Sequence, residues 1–494
     1  MITNKKPTKI IQDAVHGIVE VEGLLMRFID TPEFQRLRRL NQVGVTRYVY
    51  PVCTHTRFEH SLGTYHLTKR LLDAIQADLS NEVIRLTEGE CTSLMLAALC
   101  HDLGKHEEIS CRIIQRIVNK DEHLRTLLND AGVDLDLVYA LIRGHATPEL
   151  KIISNSLNGN DVDKWDYIMR DSFHAGLGQG SCVIELERLL RFYRPAYHAS
   201  DDSWHMSFRV SELENVMRVF TQRLRLRSSV YAHKTTLAIE AMFIDIFNAL
   251  DPVLHLRDLS LRAATGDNSA LDAFLRMDEH CIWGIASCYS IWPFKILPDM
   301  AENLRRSACL CERIQTRQLY SIVGCFYAVR EIDVVNAQEP LEVDCEALTA
   351  RKIVLMATLY DADKGQKNAI QREILGTESE ILEEIFAKLP HNSPVRSVRE
   401  LRLVSDLQSS NSTDDPPTFF VYRTLADTFS ITQPLTKVCC FLLLWSGPFQ
   451  DDEDGPPLHT PSPVPPCLTE ALEAWRREKV EATALRWGKL TSKL

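Results

Sequence analysis

Four side chains able to ligate a metal fall in three separated stretches: His60 in RFEHSLG, His101 and Asp102 in LCHDLG, and Asp163 in NDVDKWDY. Neighbouring residues on a helix point about 100° apart, so one ion near a helix end can take an imidazole nitrogen and a carboxylate from the His101-Asp102 pair. His60 and Asp163 add a second imidazole and a second carboxylate. An octahedral ion with four such ligands keeps two positions for water and a substrate oxygen, which suits metal-assisted hydrolysis of a phosphate ester. Each residue alone reads more readily as a polar cap or half of a buried hydrogen-bonded pair; the three motifs in order favour the ion. Mixed nitrogen and oxygen ligands accept Fe, Mn, Mg, Zn or Ni, so a divalent ion is expected without its identity.

Helices must hold these stretches in place. From Glu59 to about Leu256 the apolar spacing is mostly helical, as in Leu67, Leu71, Leu72 and Ile75 or Leu94, Ala97, Ala98 and Leu99. An α-helical core is therefore expected, with further helices through Leu271 to Met277 and Asn303 to Tyr320. Ahead of it, Lys9 to Val21 (KIIQDAVHGIVEV) carries β-branched residues around a His-Gly turn and predicts a small hairpin. Pro32 opens a helix at its first turn, with Asp30 or Thr31 as cap.

After about Gly324 the runs Cys325 to Val335, Lys352 to Leu359 and Thr418 to Tyr422 are β-rich, which predicts a smaller α+β lobe. Gln408 to Pro417 reads as a loop. Asp451 to Pro466 is acidic and then proline-rich, which disfavours packed structure. Leu468 to Leu494 reads as an amphipathic helix. The expected divisions are 1–58, an N-terminal hairpin and helix; 59–323, the helical core; 324–445, the α+β lobe; and 446–494, a linker and terminal helix, disordered in part.

Composition agrees with a folded chain: of 494 residues, 45% are hydrophobic and 25% charged. The net charge of -11 repels polyanions in bulk, so phosphate chemistry needs local cations. No apolar stretch approaches the roughly 20 residues of a membrane-spanning helix. The start, MITNKKPTKIIQD, lacks a secretory apolar run, so the 14 cysteines are expected as buried thiols in a reducing compartment. They show no paired CxxC blocks of the zinc type.

The ordered series His60, His101-Asp102 and Asp163 resembles the HD-domain superfamily of metal-dependent phosphohydrolases. DAVHGIVEV, IDTPEFQRLRRLNQVG, HTRFEHSLG and NDVDKWDYIMRD are similar to one branch, the dNTP triphosphohydrolases of the vertebrate SAM-and-HD-domain type. The resemblance is dense from Lys9 to Asp251 and thinner to about Trp445, and no SAM domain is expected ahead of it. It implies a mainly α fold with an HD core and a smaller α+β C-terminal lobe. It implies an enzyme in which water attacks the α-phosphorus of a dNTP, releasing deoxynucleoside and triphosphate. By the same resemblance His60, His101, Asp102 and Asp163 hold the metal, and Arg57, Lys164 and Arg223 grip phosphates. Gln42 and Asp171 meet the sugar 3′-hydroxyl, while Tyr167 and Tyr231 wall the sugar.

The resemblance further implies activation by GTP or dGTP and then a dNTP, bound between subunits of a dimer or tetramer. Lys9, Asp30, Gln35 and Arg38 match the guanine site in residues 1–58, with Arg317 as a triphosphate contact. Arg188, Arg209, Asn215, His233 and Lys234 match the second site. Gln12, Ser211 and Ser321 depart from it, so altered control is expected.

A larger departure follows the HD motif. The family runs there through a histidine-rich segment before a second motif reading H-E-Q, whereas HDLGK here runs straight into His106-Glu107-Glu108. His106 matches the histidine of the second motif and is the expected acid–base group, at a position set by the shortened loop. Metal binding needs only residues that are present; turnover depends on that loop. An active enzyme is thus expected first, and a catalytically weakened paralogue acting as a regulatory or assembly module second. The resemblance points to nucleus or cytoplasm and admits single-stranded nucleic acid as a partner, to which the acidic balance lends no support.

Overall fold

The structure is a computed structural model that describes residues 8–78, 85–104, 106–155, 157–177, 184–291, 298–331, 354–358, 378–395, 397–398, 401–409, 418–424, 427–432, 437–445 and 463–491. In chain order it opens with β1 (Thr8–Asp13), β2 (Gly17–Glu22), α1 (Gly23–Ile29), α2 (Pro32–Gln35), α3 (Arg57–Gln76), α4 (Glu88–Cys100) and α5 (Glu107–Lys120). There follow α6 (Glu122–Asp130), α7 (Leu135–Ile142), α8 (Val162–His174), α9 (Leu186–Phe192), β3 (Tyr193–His198), β4 (Ser203–Arg209) and α10 (Leu213–Leu226). The helices α11 (Lys234–Leu254), α12 (Leu256–Thr265), α13 (Asn268–Phe274), α14 (Glu279–Ile291) and α15 (Pro298–Gln315) come next. The chain closes with β5 (Ser321–Glu331), β6 (Val354–Thr358), α16 (Glu378–Ala387), β7 (Leu401–Ser409), β8 (Thr418–Thr424), β9 (Asp427–Thr432), β10 (Lys437–Trp445) and α17 (Pro466–Thr491). It is a mainly α protein with a smaller α+β part. No described helix is long and apolar enough to cross a membrane.

The N-terminal hairpin forms where the β-branched pattern places it, with Asp13 facing Gly17 across the turn. The Asp13 carboxylate accepts from the amides of Val15 and His16, and Gly17 sits at φ 74°, a left-handed value that glycine adopts without strain. Of the two caps expected for α2, Thr31 does the work: its hydroxyl accepts from the Phe34 amide, with Pro32 at the first helical position.

The site rests on three helices whose starts are fixed by side chains. Glu59 accepts from the Thr56 amide at the head of α3, Glu90 and Thr87 bond reciprocally at the head of α4, and Asp161 accepts from the Lys164 amide at the head of α8. Helix α4 is buried on nearly every side from Gly89 to Cys100, which makes it the central rod against which α3 packs.

Contacts divide the chain into two compact units, and neither is a continuous segment: the first comprises 1–226, 255–284 and 411–433, the second 227–254, 285–410 and 434–494. In the first, β3 and β4 pair antiparallel, β8 joins β4 in parallel through Phe208↔Val421, and β9 closes the sheet. In the second the order is β6-β5-β10-β7, and α17 lays Leu468, Ala471, Leu472 and Trp475 on a core that includes Ile381, Ile385, Leu401 and Leu443.

Three expectations need correction. The Thr418 to Tyr422 strand sits in the sheet of the helical unit, not with the other β-rich runs, because the open edge of β4 takes it as a partner. Helix α15 ends at Gln315, where the chain turns through Arg317 at φ 62°, and does not run to Tyr320. Cys309 is exposed, although Cys53, Cys91, Cys100, Cys111 and Cys311 are buried as expected; burial pushes the thiols of Cys53, Cys91 and Cys111 up to about 11. Residues 410–417 of the expected loop and 451–462 of the expected linker lie outside the described residues.

Candidate metal centre

His60 stands on the first turn of α3, His101 and Asp102 at the end of α4, and Asp163 on the first turn of α8. Donor atoms of His60, His101 and Asp102 lie within 4.8 Å of one another. Asp163 Oδ1 is 3.0 Å from His60 Nε2 and 3.4 Å from His101 Nε2, and the two imidazole nitrogens are 3.3 Å apart. Neighbouring ligands of an octahedral ion with bonds of about 2.1 Å stand about 3 Å apart, so the spacing fits one shared ion.

Tautomers fit as well. His60 Nδ1 lies 2.7 Å from Asp166 Oδ2, and His101 Nδ1 lies 2.8 Å from the Ala98 carbonyl oxygen. Both acceptors hold a proton on Nδ1 and leave the Nε2 lone pairs to face the common point, an arrangement usual for metal-ligating histidines. Burial opposes charge on His60, yet the hydrogen bonds that its ring donates to Asp163 and Asp166 raise its pKa to about 10. Burial likewise opposes ionisation of Asp163, but His101 and His60 hold its carboxyl well below the ordinary value. An entering cation must displace the proton that these groups share, so retention weakens as the solution is acidified.

Asp166 anchors a buried network behind the ligands. Besides His60 it accepts from His16 Nε2 at 2.6 Å and from Arg170 Nε and Nη2, each at 2.9 Å; Arg170 also reaches Asp13 at 2.8 Å. The hairpin turn thereby braces the imidazole of His60. Asp13, His16, Asp166 and Arg170 were not legible as site residues, although the Asp166–Arg170 spacing of four on one helix was a signal.

The close approach of α3 to α8 depends on Gly63. A Cβ there would lie 1.8 Å from Asp166 Oδ1 and 2.5 Å from Arg170 Nη2. Gly63→Ala is expected to lose about 1–3 kcal/mol and to weaken metal binding about 10- to 100-fold as Asp166 is pushed off His60. Thermal unfolding and metal titration of the variant check this; an unchanged midpoint and affinity would contradict it.

Several other expected site residues gather near this centre. Arg57 Nη1 donates to Asp102 Oδ1 at 3.2 Å and to the carbonyl oxygens of Asp102 and Gly104. Lys164 pairs with Asp161 at 2.7 Å and keeps its charge, because Asp161 and Asp163 outweigh its burial. Burial pushes the Tyr167 phenol up to about 12 against the pull of Arg223 and Lys164, which places those two cations around it. Asp171 is bonded to His55 Nε2 at 2.6 Å, and the Gln42 amide donates to the His55 carbonyl at 3.1 Å.

His106 stands apart. Its side chain is 73% exposed, and its Nδ1 caps α5 by accepting from the Glu108 amide. The turn after His101 is tied instead by Ser110, whose Oγ accepts from the Gly104 amide and donates to the His101 carbonyl. Lys105 lies outside the described residues.

The residues matched to activator sites fall into groups. Gln35 accepts from Arg38 Nε and donates to the Ile29 carbonyl, Asp30 ends α1, and Arg38 lies over the Phe58 ring at 3.5 Å. Lys9 is exposed on β1. Arg188 and Arg209 lie over Phe192 at 5.4 and 5.3 Å, and Asn215 bonds the Glu185 backbone in both directions. Tyr231, His233, Lys234 and Arg317 belong to the second unit.

Residues 57–171, which carry all four candidate ligands, match the HD domain family. The chain is 34% identical over 282 residues to the "Deoxynucleoside triphosphate triphosphohydrolase SAMHD1 homolog" of Dictyostelium discoideum, covering 52% of this chain and 52% of that one. It is 27% identical over 352 residues to the "Putative HD domain-containing protein L394" of Acanthamoeba polyphaga mimivirus, covering 64% and 73%. To the human "Deoxynucleoside triphosphate triphosphohydrolase SAMHD1" it is 27% identical over 363 residues, covering 64% and 55%. The chain thus spans about half the length of the triphosphohydrolases it matches.

Proposed function

We propose that the chain is a metal-dependent dNTP triphosphohydrolase, releasing deoxynucleoside and inorganic triphosphate, and activated by GTP and dNTP in a homo-oligomer of the nucleus or cytoplasm. The observation that supports the reading is the meeting of His60, His101 and Asp102, with Asp163 beside the two imidazoles, in the stretch that matches the HD domain. A divalent ion held there supplies Lewis acidity toward a phosphate oxygen. Around it the chain's own residues bind and orient. Arg57 is locked to the Asp102–Gly104 turn, so its guanidinium presents a fixed positive charge beside the metal ligands. Lys164 and Arg223 add cations on the side of Tyr167, where a phosphate chain gains from their field. Asp171 and Gln42 form the sugar end.

One observation favours a second reading, a weakened paralogue that binds nucleotide or subunits without rapid turnover: His106, the expected acid–base group, is turned to solvent and occupied in capping α5. A single assay separates the readings. Purified chain with Mn²⁺ or Mg²⁺, GTP and mixed dNTPs is expected to release inorganic triphosphate and to shift to a larger species on sizing. Release of pyrophosphate or single phosphate would reject the reaction; nucleotide-driven assembly without product would favour the second reading.

A further inference from the structure

We infer that Arg36 anchors a phosphate-binding subsite beside Arg57, built by the turn after α2 and the end of α13. The inference goes beyond the hydrolase reading, which gives Arg36 no part.

The backbone aims this side chain. Arg36 opens the short 3-10 turn Arg36–Arg39, which continues α2 and packs on α3. Phe34 meets the Phe58 ring edge-on at 5.5 Å, and Arg38 lies over the same ring at 3.5 Å. Residues four apart share a helical face, so Arg36, halfway between these two, points away from Phe58. It points at α13 and the turn beyond it. Its guanidinium lies 5.0 Å from the centroid of the Phe274 ring, and Nη2 donates to the Met277 carbonyl oxygen at 3.0 Å.

Arg36 is 6% exposed, yet its charge goes unanswered. Of the five N–H groups of a guanidinium, the one on Met277 is the only one that is bonded among the described residues, and Nε is buried without a partner. No described carboxylate pairs with it. Asp278 acts on it from nearby but is already engaged, accepting from Arg39 Nε at 2.8 Å and from the Cys281 amide at 3.1 Å. Burial, and next the charge of Arg57, hold Arg36 down to about 10. A buried cation without a partner is costly, and buried donors are normally paired.

An anion satisfies both demands at once. Water answers the donors but not the charge. A phosphate oxyanion presents several acceptors to the planar fork of a guanidinium, the pairing that fork suits best. Arg57 adds to the same field: its Nη1 is tied to the Asp102–Gly104 turn, while its Nε and Nη2 make no hydrogen bond among the described residues. Two neighbouring guanidiniums with spare donors repel each other when empty and are drawn together by a shared phosphate.

The test uses the full chain freed of metal by chelation, so that its failure leaves the hydrolase reading standing. Inorganic phosphate and inorganic triphosphate are titrated by calorimetry at an ionic strength held constant with chloride, and denaturation midpoints are recorded with and without each anion. Wild type, Arg36→Met and Arg36→Lys are compared. At least one anion is expected to bind wild type and raise its midpoint. Arg36→Met should weaken that binding about ten- to a hundredfold, the factor for losing a hydrogen-bonded charge, and Arg36→Lys should keep part of it. In anion-free buffer Arg36→Met should be as stable as wild type or more so, because an apolar side chain of similar length replaces an unanswered charge. Binding of phosphate alone would identify a site for the free anion; binding of triphosphate only would identify one end of a phosphate chain. No binding of either anion, unchanged affinity in Arg36→Met, or a fall in its anion-free midpoint would overturn the subsite.

Discussion

Asp166→Asn is expected to destabilise the first unit by about 3–5 kcal/mol, the range found when one partner of a buried ion pair is removed and the other is left uncompensated. Asp166 is fully buried and accepts from three residues at 2.6 to 2.9 Å. Burial opposes its ionisation, but Arg170, His16 and His60 hold the carboxyl well below the ordinary value. An asparagine of the same shape removes the negative charge and sets an NH₂ donor against three donors. Arg170 is then left with Asp13 as its anionic partner. The loss is read as a fall in the denaturation midpoint. Metal affinity should fall with it, about 10- to 100-fold, because His60 loses the group that fixes its tautomer. A change below about 1 kcal/mol, the scale of an exposed pair, would show that the network does not carry the load assigned to it.

Asp163→Ala should act in the opposite proportion, with a large effect on metal and a small one on folding. Asp163 sits in the first turn of α8, while the Asp161 cap that starts the helix remains. Its carboxylate supplies negative charge to the two imidazoles. Without it the site keeps two neutral nitrogens and one carboxylate, and the affinity for a divalent ion is expected to drop by more than about a hundredfold, beyond the effect of supporting groups. Elemental analysis of purified variant and wild type reads this directly, with helical content by circular dichroism as the control. Unchanged metal content in a folded variant would exclude Asp163 as a ligand.

The contrast between these two residues also marks what the sequence discloses. His60, His101, Asp102 and Asp163 are legible as a candidate ligand set because such a set is defined by residue type, order and spacing, and all three are written along the chain. The hairpin and the Thr31 cap were legible because turn and capping chemistry is local. Asp166 was not, since nothing in NDVDKWDY distinguishes a carboxylate that ligates from one three residues on that orients a ligand. His16 read only as a turn residue, and its contact with Asp166 spans 150 positions. His55, two residues before Arg57, carries no local signal, because its partner Asp171 lies on α8, 116 positions away. The place of β8 was out of reach for the same reason: a short β-rich run states that it will pair, not with which edge. Solvent exposure of His106 depends on how tightly the turn folds onto Ser110, a packing outcome that spacing does not fix.

The most direct test is anomalous diffraction at the manganese edge from crystals of the full chain grown with Mn²⁺. One strong peak is expected about 2.0–2.3 Å from His60 Nε2, His101 Nε2 and a carboxylate oxygen each of Asp102 and Asp163. A peak held by fewer than three of these four, or none at this point with manganese ordered elsewhere, would contradict the shared-ion account.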